Sequence, residues 1–172
     1  MDTASAADLR QETLDDDILR VLGFVRLALQ ATKPLNSPHE GYARIKTHLD
    51  RLWGTVLADS YRPIDRKLHA YNMSAAAIRY IVDLTPFKPG RSEDDRIALV
   101  MDAVHNEVKK AMIKHKPMVS VHEAYGVILE EVDELFEEVR PDRGRTTEAQ
   151  KEALQVAAMG VRFVLDVAER HP

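Results

Sequence analysis

Carboxylates crowd one stretch of this 172-residue chain, where Glu130, Glu131, Glu134, Glu137 and Glu138 follow one another closely. At 100° per residue, Glu131, Glu134 and Glu138 share a sector of about 60° on a helix, with Glu130 at its edge. Further on, Glu152 and Gln155 stand at i and i+3 in a second helical pattern. Like charges at such spacing repel by roughly 0.2–0.5 kcal/mol per exposed pair, and by more when a neighbouring helix strips their water. A divalent cation between the helices reverses that sign, and glutamates on facing helices are how bundles build metal sites. Oxygen donors without His or Cys favour the hard ions Mg²⁺ or Mn²⁺ over zinc. A solvated acidic face balanced by Lys or Arg is the competing account, and the pattern alone leaves both open.

Those carboxylates need helices to carry them. Ser120-x-x-Glu123 reads as a capping box, followed by an apolar stripe of Ala124, Ile128, Val132, Leu135 and Val139. Pro141-Asp142-Arg143-Gly144 is the turn, and Thr147-x-x-Gln150 is the expected cap of a last helix with the stripe Leu154, Ala157, Ala158, Val161, Leu165 and Ala168. Upstream, Ser92-x-x-Asp95 starts a helix along Ile97, Met101, Val104, Val108, Ala111 and Met112, and Pro117 ends it.

The first half repeats this order. Ser37-Pro38-His39-Glu40-Gly41-Tyr42 returns as Ser120-Val121-His122-Glu123-Ala124-Tyr125, and Lys33-Pro34 returns as Lys116-Pro117. Arg79 and Asp83 fall on Arg162 and Asp166, and Trp53 falls on Phe136. At a shift of about 83 residues, about 19 of about 71 aligned positions are identical, against roughly one in 16 by chance. The expectation is an all-α fold of two tandem three-helix repeats, packed as a pseudo-two-fold helical bundle because about 80 residues alone make a marginal core. The divisions are a tail over 1–13, a degenerate repeat over 14–85 with helices near 14–31, 38–58 and 64–84, a linker over 86–92, and a repeat over 93–172 that carries the acids. The copies disagree most at the acids: Glu130, Glu131, Glu134, Glu152 and Gln155 correspond to Thr47, His48, Arg51, His69 and Asn72.

Glu131-Val132-Asp133-Glu134-Leu135, followed by Glu152-Ala153-Leu154-Gln155-Val156, resembles the MazG-like all-α nucleoside-triphosphate pyrophosphohydrolases, which include dimeric dUTPases and dCTP pyrophosphatases. Their signature is Glu-x-x-Glu on one helix and Glu-x-x-Asp on the next. The resemblance runs from Lys114 to Val167, and the degenerate copy extends it over most of the chain. It implies Mg²⁺ held by Glu131, Glu134 and Glu152, and water attack that releases a nucleoside monophosphate and pyrophosphate. Gln155 stands where the family has Asp, so that position offers an amide oxygen without charge. The resemblance also implies a nucleoside triphosphate as substrate and a homodimer as the assembly, with a monomer left open by the residues themselves.

Other residues take roles around this site. Glu130 is a candidate catalytic base that orients or deprotonates water. Lys116, Arg162 and His122 are candidate substrate-binding residues. Each has a structural alternative: Asp166 is an i+4 partner for Arg162, Lys116 suits a helix C-terminus, and His122 recurs as His39. His105 reads as a core-edge histidine rather than a base-reading one. In the first half, His48, Arg51 and His69 form a basic set that accepts phosphate or pairs with an acidic helix. A catalytically inactive nucleotide- or protein-binding module is the rival function, motivated by Gln155. A di-iron bundle would need Glu-x-x-His pairs, and the site has none.

Composition limits the remaining classes. With no cysteine, disulfides, thiolate zinc and cysteine nucleophiles are excluded. A net charge of −4 argues against polymeric nucleic acid as partner. No apolar run reaches the roughly 18 residues of a membrane span, and the start shows no signal peptide, so the expected compartment is the cytoplasm.

Overall fold

The computed structural model describes residues 6–58 and 62–170, with backbone only for 6–11 and Pro63. It is all-helical, with no strand among the described residues. The helices are α1 (Ala6–Gln30), α2 (Pro38–Leu57), α3 (Pro63–Leu84), α4 (Glu93–Lys114), α5 (Val121–Val139) and α6 (Thr147–Phe163). The last continues over Val164–Ala168 in a wider pitch, where the Glu169 amide donates to the Val164 carbonyl at 3.0 Å. No described helix is long and apolar enough to cross a membrane.

The predicted starts hold where a hydroxyl can reach the first turn. Ser37, Ser92 and Ser120 accept from the amides of Glu40, Asp95 and Glu123. Asp95 also accepts from the Ser92 amide and closes the box. Glu40 and Glu123 reach one residue further back, to the amides of Asn36 and Val119. Two boundaries differ from expectation. Helix α1 begins at Ala6, so it takes up most of the expected tail; residues 1–5, like 171–172 at the other end, lie outside the described residues. The cap of α6 is Thr146, whose hydroxyl accepts from the Ala149 amide, while Thr147 is already helical.

Helices α3 and α6 form the centre. Helix α3 packs on α1, α2 and α6, and α6 packs on α3, α4 and α5. Surrounded in this way, α6 is buried along nearly its whole length, so the expected stripe is only part of its contact surface. Small side chains allow the close approach: Ser74–Ala77 meets Ala157–Gly160, and the Ser74 hydroxyl donates to the Ala157 carbonyl at 2.9 Å. A Cβ on Gly160 would lie 2.2 Å from the Ser74 hydroxyl, so nothing larger fits there without movement. On the outer side, α2 packs on α5 through two aromatic pairs, Tyr42 with Phe136 at 4.8 Å and Trp53 with Tyr125 at 4.5 Å between ring centroids.

Below this centre, two ion pairs tie loops to helices. Arg162 and Asp166, both buried, sit 2.9 Å apart; Arg162 also donates to the Lys116 carbonyl, and Asp166 accepts from the Met118 amide. Arg79 and Asp83 pair in the same way on α3, and Asp83 accepts from the Leu35 amide. Each aspartate thereby anchors the segment that joins the preceding two helices.

Candidate metal centre

Helices α5 and α6 form a hairpin closed by the turn over 140–146, in which Asp142 takes a positive φ of 60°. The seam of α5 that faces the interior is Ala124, Ile128, Val132, Leu135 and Val139, all fully buried. Glu131 borders that seam and Glu134 lies one turn further along, on the solvent side. Glu152 projects from α6 and is 9% exposed. One carboxylate oxygen from each of Glu131, Glu134 and Glu152 falls within a common 4.8 Å. Oxygen atoms of Glu131 and Glu152 and the amide oxygen of Gln155 are buried without a hydrogen-bond partner.

The electrostatics follow from that crowding. Loss of water, then the charges of Glu134, Glu152 and Glu130, pushes the Glu131 carboxyl up to about 7. Glu134 is also raised, first by burial and then by its hydrogen bond with Glu152 and the charge there. Among the described residues, the Lys151 ammonium answers, 2.9 Å from Glu152. Three carboxylates and one ammonium leave a residual negative site with bare oxygens, the donor set that a hard divalent cation needs.

Helix periodicity placed Glu138 in the same sector, but the structure turns it away. Arg143 binds both its oxygens at 3.1 Å, and Arg140 takes Glu137 at 2.6 Å. The arginines of the turn thus neutralise the C-terminal end of the acidic run and leave its middle free.

Beside the acids lies a cavity of about 650 Å³ between α4, α5 and α6. Glu130, Glu131 and Gln155 are on its wall, together with Lys114, Lys116 and Arg162. Six sequence-predicted site residues therefore meet at one place or its edge: Glu130, Glu131, Glu134, Glu152, Gln155 and Lys116. The Lys116 side chain is exposed and has no partner among the described residues. Arg162 reaches the wall too, although Asp166 and the Lys116 carbonyl already hold one of its amino groups. His122 is elsewhere. It stands edge-on to the Trp53 indole at 5.5 Å, half a turn around α5 from Glu131, in the contact between α2 and α5. His105 lies 3.3 Å from Asp15 at the contact between α1 and α4.

Residues missed by sequence reasoning are Lys151 and Glu107. Lys151 directly follows the cap turn of α6 and looks like any exposed lysine; only its neighbour Glu152 hinted at its place. Lys114 was visible as a basic residue closing α4, and Glu107 had no signal.

No family model matches this chain, and no curated protein and no solved structure shows significant similarity to it. The site must be judged on its own chemistry.

Proposed function

We propose that this chain is a Mg²⁺-dependent nucleoside-triphosphate pyrophosphohydrolase, related to the MazG-like enzymes, with its metal site in the second half. The observation that carries the reading is the convergence of Glu131, Glu134 and Glu152 within 4.8 Å, with buried oxygens left unbonded beside a cavity with a basic edge. Glu131, Glu134 and Glu152 would hold the metal, and the Gln155 amide oxygen would complete the set. Bound there, Mg²⁺ supplies Lewis-acid neutralisation of the polyphosphate. The ammonium groups of Lys114 and Lys116 offset the remaining phosphate charge at the cavity edge. Glu130, exposed on the wall, accepts a proton as a water oxygen bonds to the α-phosphorus. The bond from that phosphorus to the β-bridging oxygen breaks, and pyrophosphate leaves with the oxygen.

The same proposal includes a duplicated three-helix unit packed about a pseudo-two-fold axis. Contacts repeated at one offset support it. Tyr42 with Phe136 and Trp53 with Tyr125 are exchanged by a shift of 83 residues, and the Ser74 to Ala157 bond joins positions that differ by the same 83. Asp83 to Leu35 and Asp166 to Met118 both span 48 residues.

The test is pyrophosphate release from a panel of canonical and modified nucleoside triphosphates with Mg²⁺. Turnover lost in Glu134→Gln is the expected result; no turnover with any nucleotide rejects the reading. Gln155 favours one rival, a module that binds nucleotide without cleaving it, because one ligand position lacks charge. Calorimetric binding with intact nucleotide recovered afterwards would select that rival.

A further inference from the structure

Helices α2 and α3 carry a second polar cluster that the proposed hydrolysis does not use. His48 and Arg51 lie one turn apart on α2, and His69 and Asn72 lie one turn apart on α3. These are the positions occupied by Glu131, Glu134, Glu152 and Gln155 on α5 and α6, shifted by 83 residues. We propose that His48, Arg51, His69 and Asn72 form a binding site for a phosphate-type oxyanion.

The donors are present and uncommitted. Arg51 is exposed and has no hydrogen bond or ion pair with a described residue. Both imidazoles are partly buried, and each has its Nδ1 enclosed without a partner. Their Nε2 atoms are neither enclosed nor bonded within the described structure, so these edges are the ones open to a ligand. Asn72 donates one amide hydrogen to the Leu68 carbonyl and keeps the other. Arginine and nitrogen donors on two adjacent helices match the several acceptor oxygens of a phosphate group.

Charge selects an anion over a metal. Burial, then Arg51 and His69, holds the His48 imidazole down at about 4. Burial and Arg51 also lower His69, against the opposing pull of the Asp65 carboxylate. Helix α5 packs on the opposite flank of α2, through Tyr42 and Trp53, and contributes no charge here. Two imidazoles beside a permanent guanidinium fall short of the three or more ligands that a zinc site requires. An oxyanion would instead pair with Arg51 and favour protonation of both rings. The inference does not rest on the hydrolase reading, since it needs only this basic set.

The test is imidazole NMR of the full chain with a metal chelator, so that the acidic site stays silent. Inorganic phosphate, pyrophosphate and a nucleoside monophosphate are titrated separately, and sulfate serves for pH series because its charge is constant. Among the seven histidines, His48 and His69 are expected to shift saturably, and sulfate affinity should rise as pH falls from about 8 to about 5. Arg51→Ala should weaken phosphate at least about tenfold, and Arg51→Lys should recover part of that loss. Equal affinity for phosphate and the monophosphate assigns the free anion, and tighter binding of the monophosphate assigns a nucleotide's phosphoryl group; either supports the site. Unchanged affinity in a folded Arg51→Ala overturns the proposal. So do shifts that never saturate, and so does saturable binding of Zn²⁺ to the two rings with no response to phosphate.

Discussion

Positions 48, 51, 69 and 72 and positions 131, 134, 152 and 155 occupy like places on their helix pairs, yet one set is basic and the other acidic. Both pairs have the same kind of support: a serine cap on the earlier helix and an aspartate on the later one that holds the preceding loop. The scaffold is therefore indifferent to the sign of the charge it presents. What differs is the sign of the charge that each set disfavours. In the acidic set burial and mutual repulsion raise Glu131, while in the basic set burial and Arg51 lower His48. Each set resists its own charged form.

The comparison can be broken at its support. Asp166→Asn should destabilise the fold by about 3–5 kcal/mol, because it leaves Arg162 buried without its counter-charge. Asp83→Asn should cost less, since Arg79 retains Glu93 at 2.7 Å. Chemical denaturation of both variants measures the difference, and equal losses would show that burial of the pair does not matter.

The acids come next. Glu134→Gln should reduce Mg²⁺-dependent pyrophosphate release by about two to three orders of magnitude, with little change in melting temperature because the side chain is exposed. A steady-state assay at saturating Mg²⁺ decides this.

The two sites should also drive stability in opposite directions with pH. Glu131 titrates near 4.5 when unfolded and about 7 when folded, so the native state binds more protons across that window. Its contribution is complete below about 4.5 and is lost as pH rises through about 7. His48 is lowered from 6.5 to about 4, so its contribution is present above 6.5 and is lost as pH falls through about 4. In chelator, Glu131→Gln should flatten the alkaline decline of melting temperature, and His48→Asn should flatten the acid decline. Mg²⁺ should weaken as pH falls through about 7, as protons compete for Glu131.

The smallest effect is the most specific. Gln155→Glu should tighten Mg²⁺ by about two- to tenfold and raise the Glu131 carboxyl further, because a fourth carboxylate adds both a ligand and a repulsive charge. Calorimetry with the metal alone reads the first effect. Unchanged affinity would place Gln155 outside the coordination set.

Much of this was legible along the chain. The seam of α5 was read residue for residue, since a helix with one buried side writes its period directly into the sequence. The three serine caps were equally plain, because a hydroxyl and a carboxylate three residues apart act locally. Helix α6 was harder. Its neighbours α3, α4 and α5 bury it on most sides, so residues outside the expected stripe, such as Ala153, Val156 and Phe163, are buried as well. Glu138 shows the same limit at the site: its angle on the helix suited the acidic set, but Arg143, in the turn, captured it.

By itself the sequence determined the all-helical class, the three serine caps and the separation of acidic and basic positions, because all of these depend on neighbours within a turn or on direct comparison of residues. Tertiary structure decided which glutamates share one point, which arginines are spent on structure, and that His122 serves an aromatic contact. Those outcomes depend on the distance between helices and on the water lost between them, and no local pattern of residues encodes either quantity.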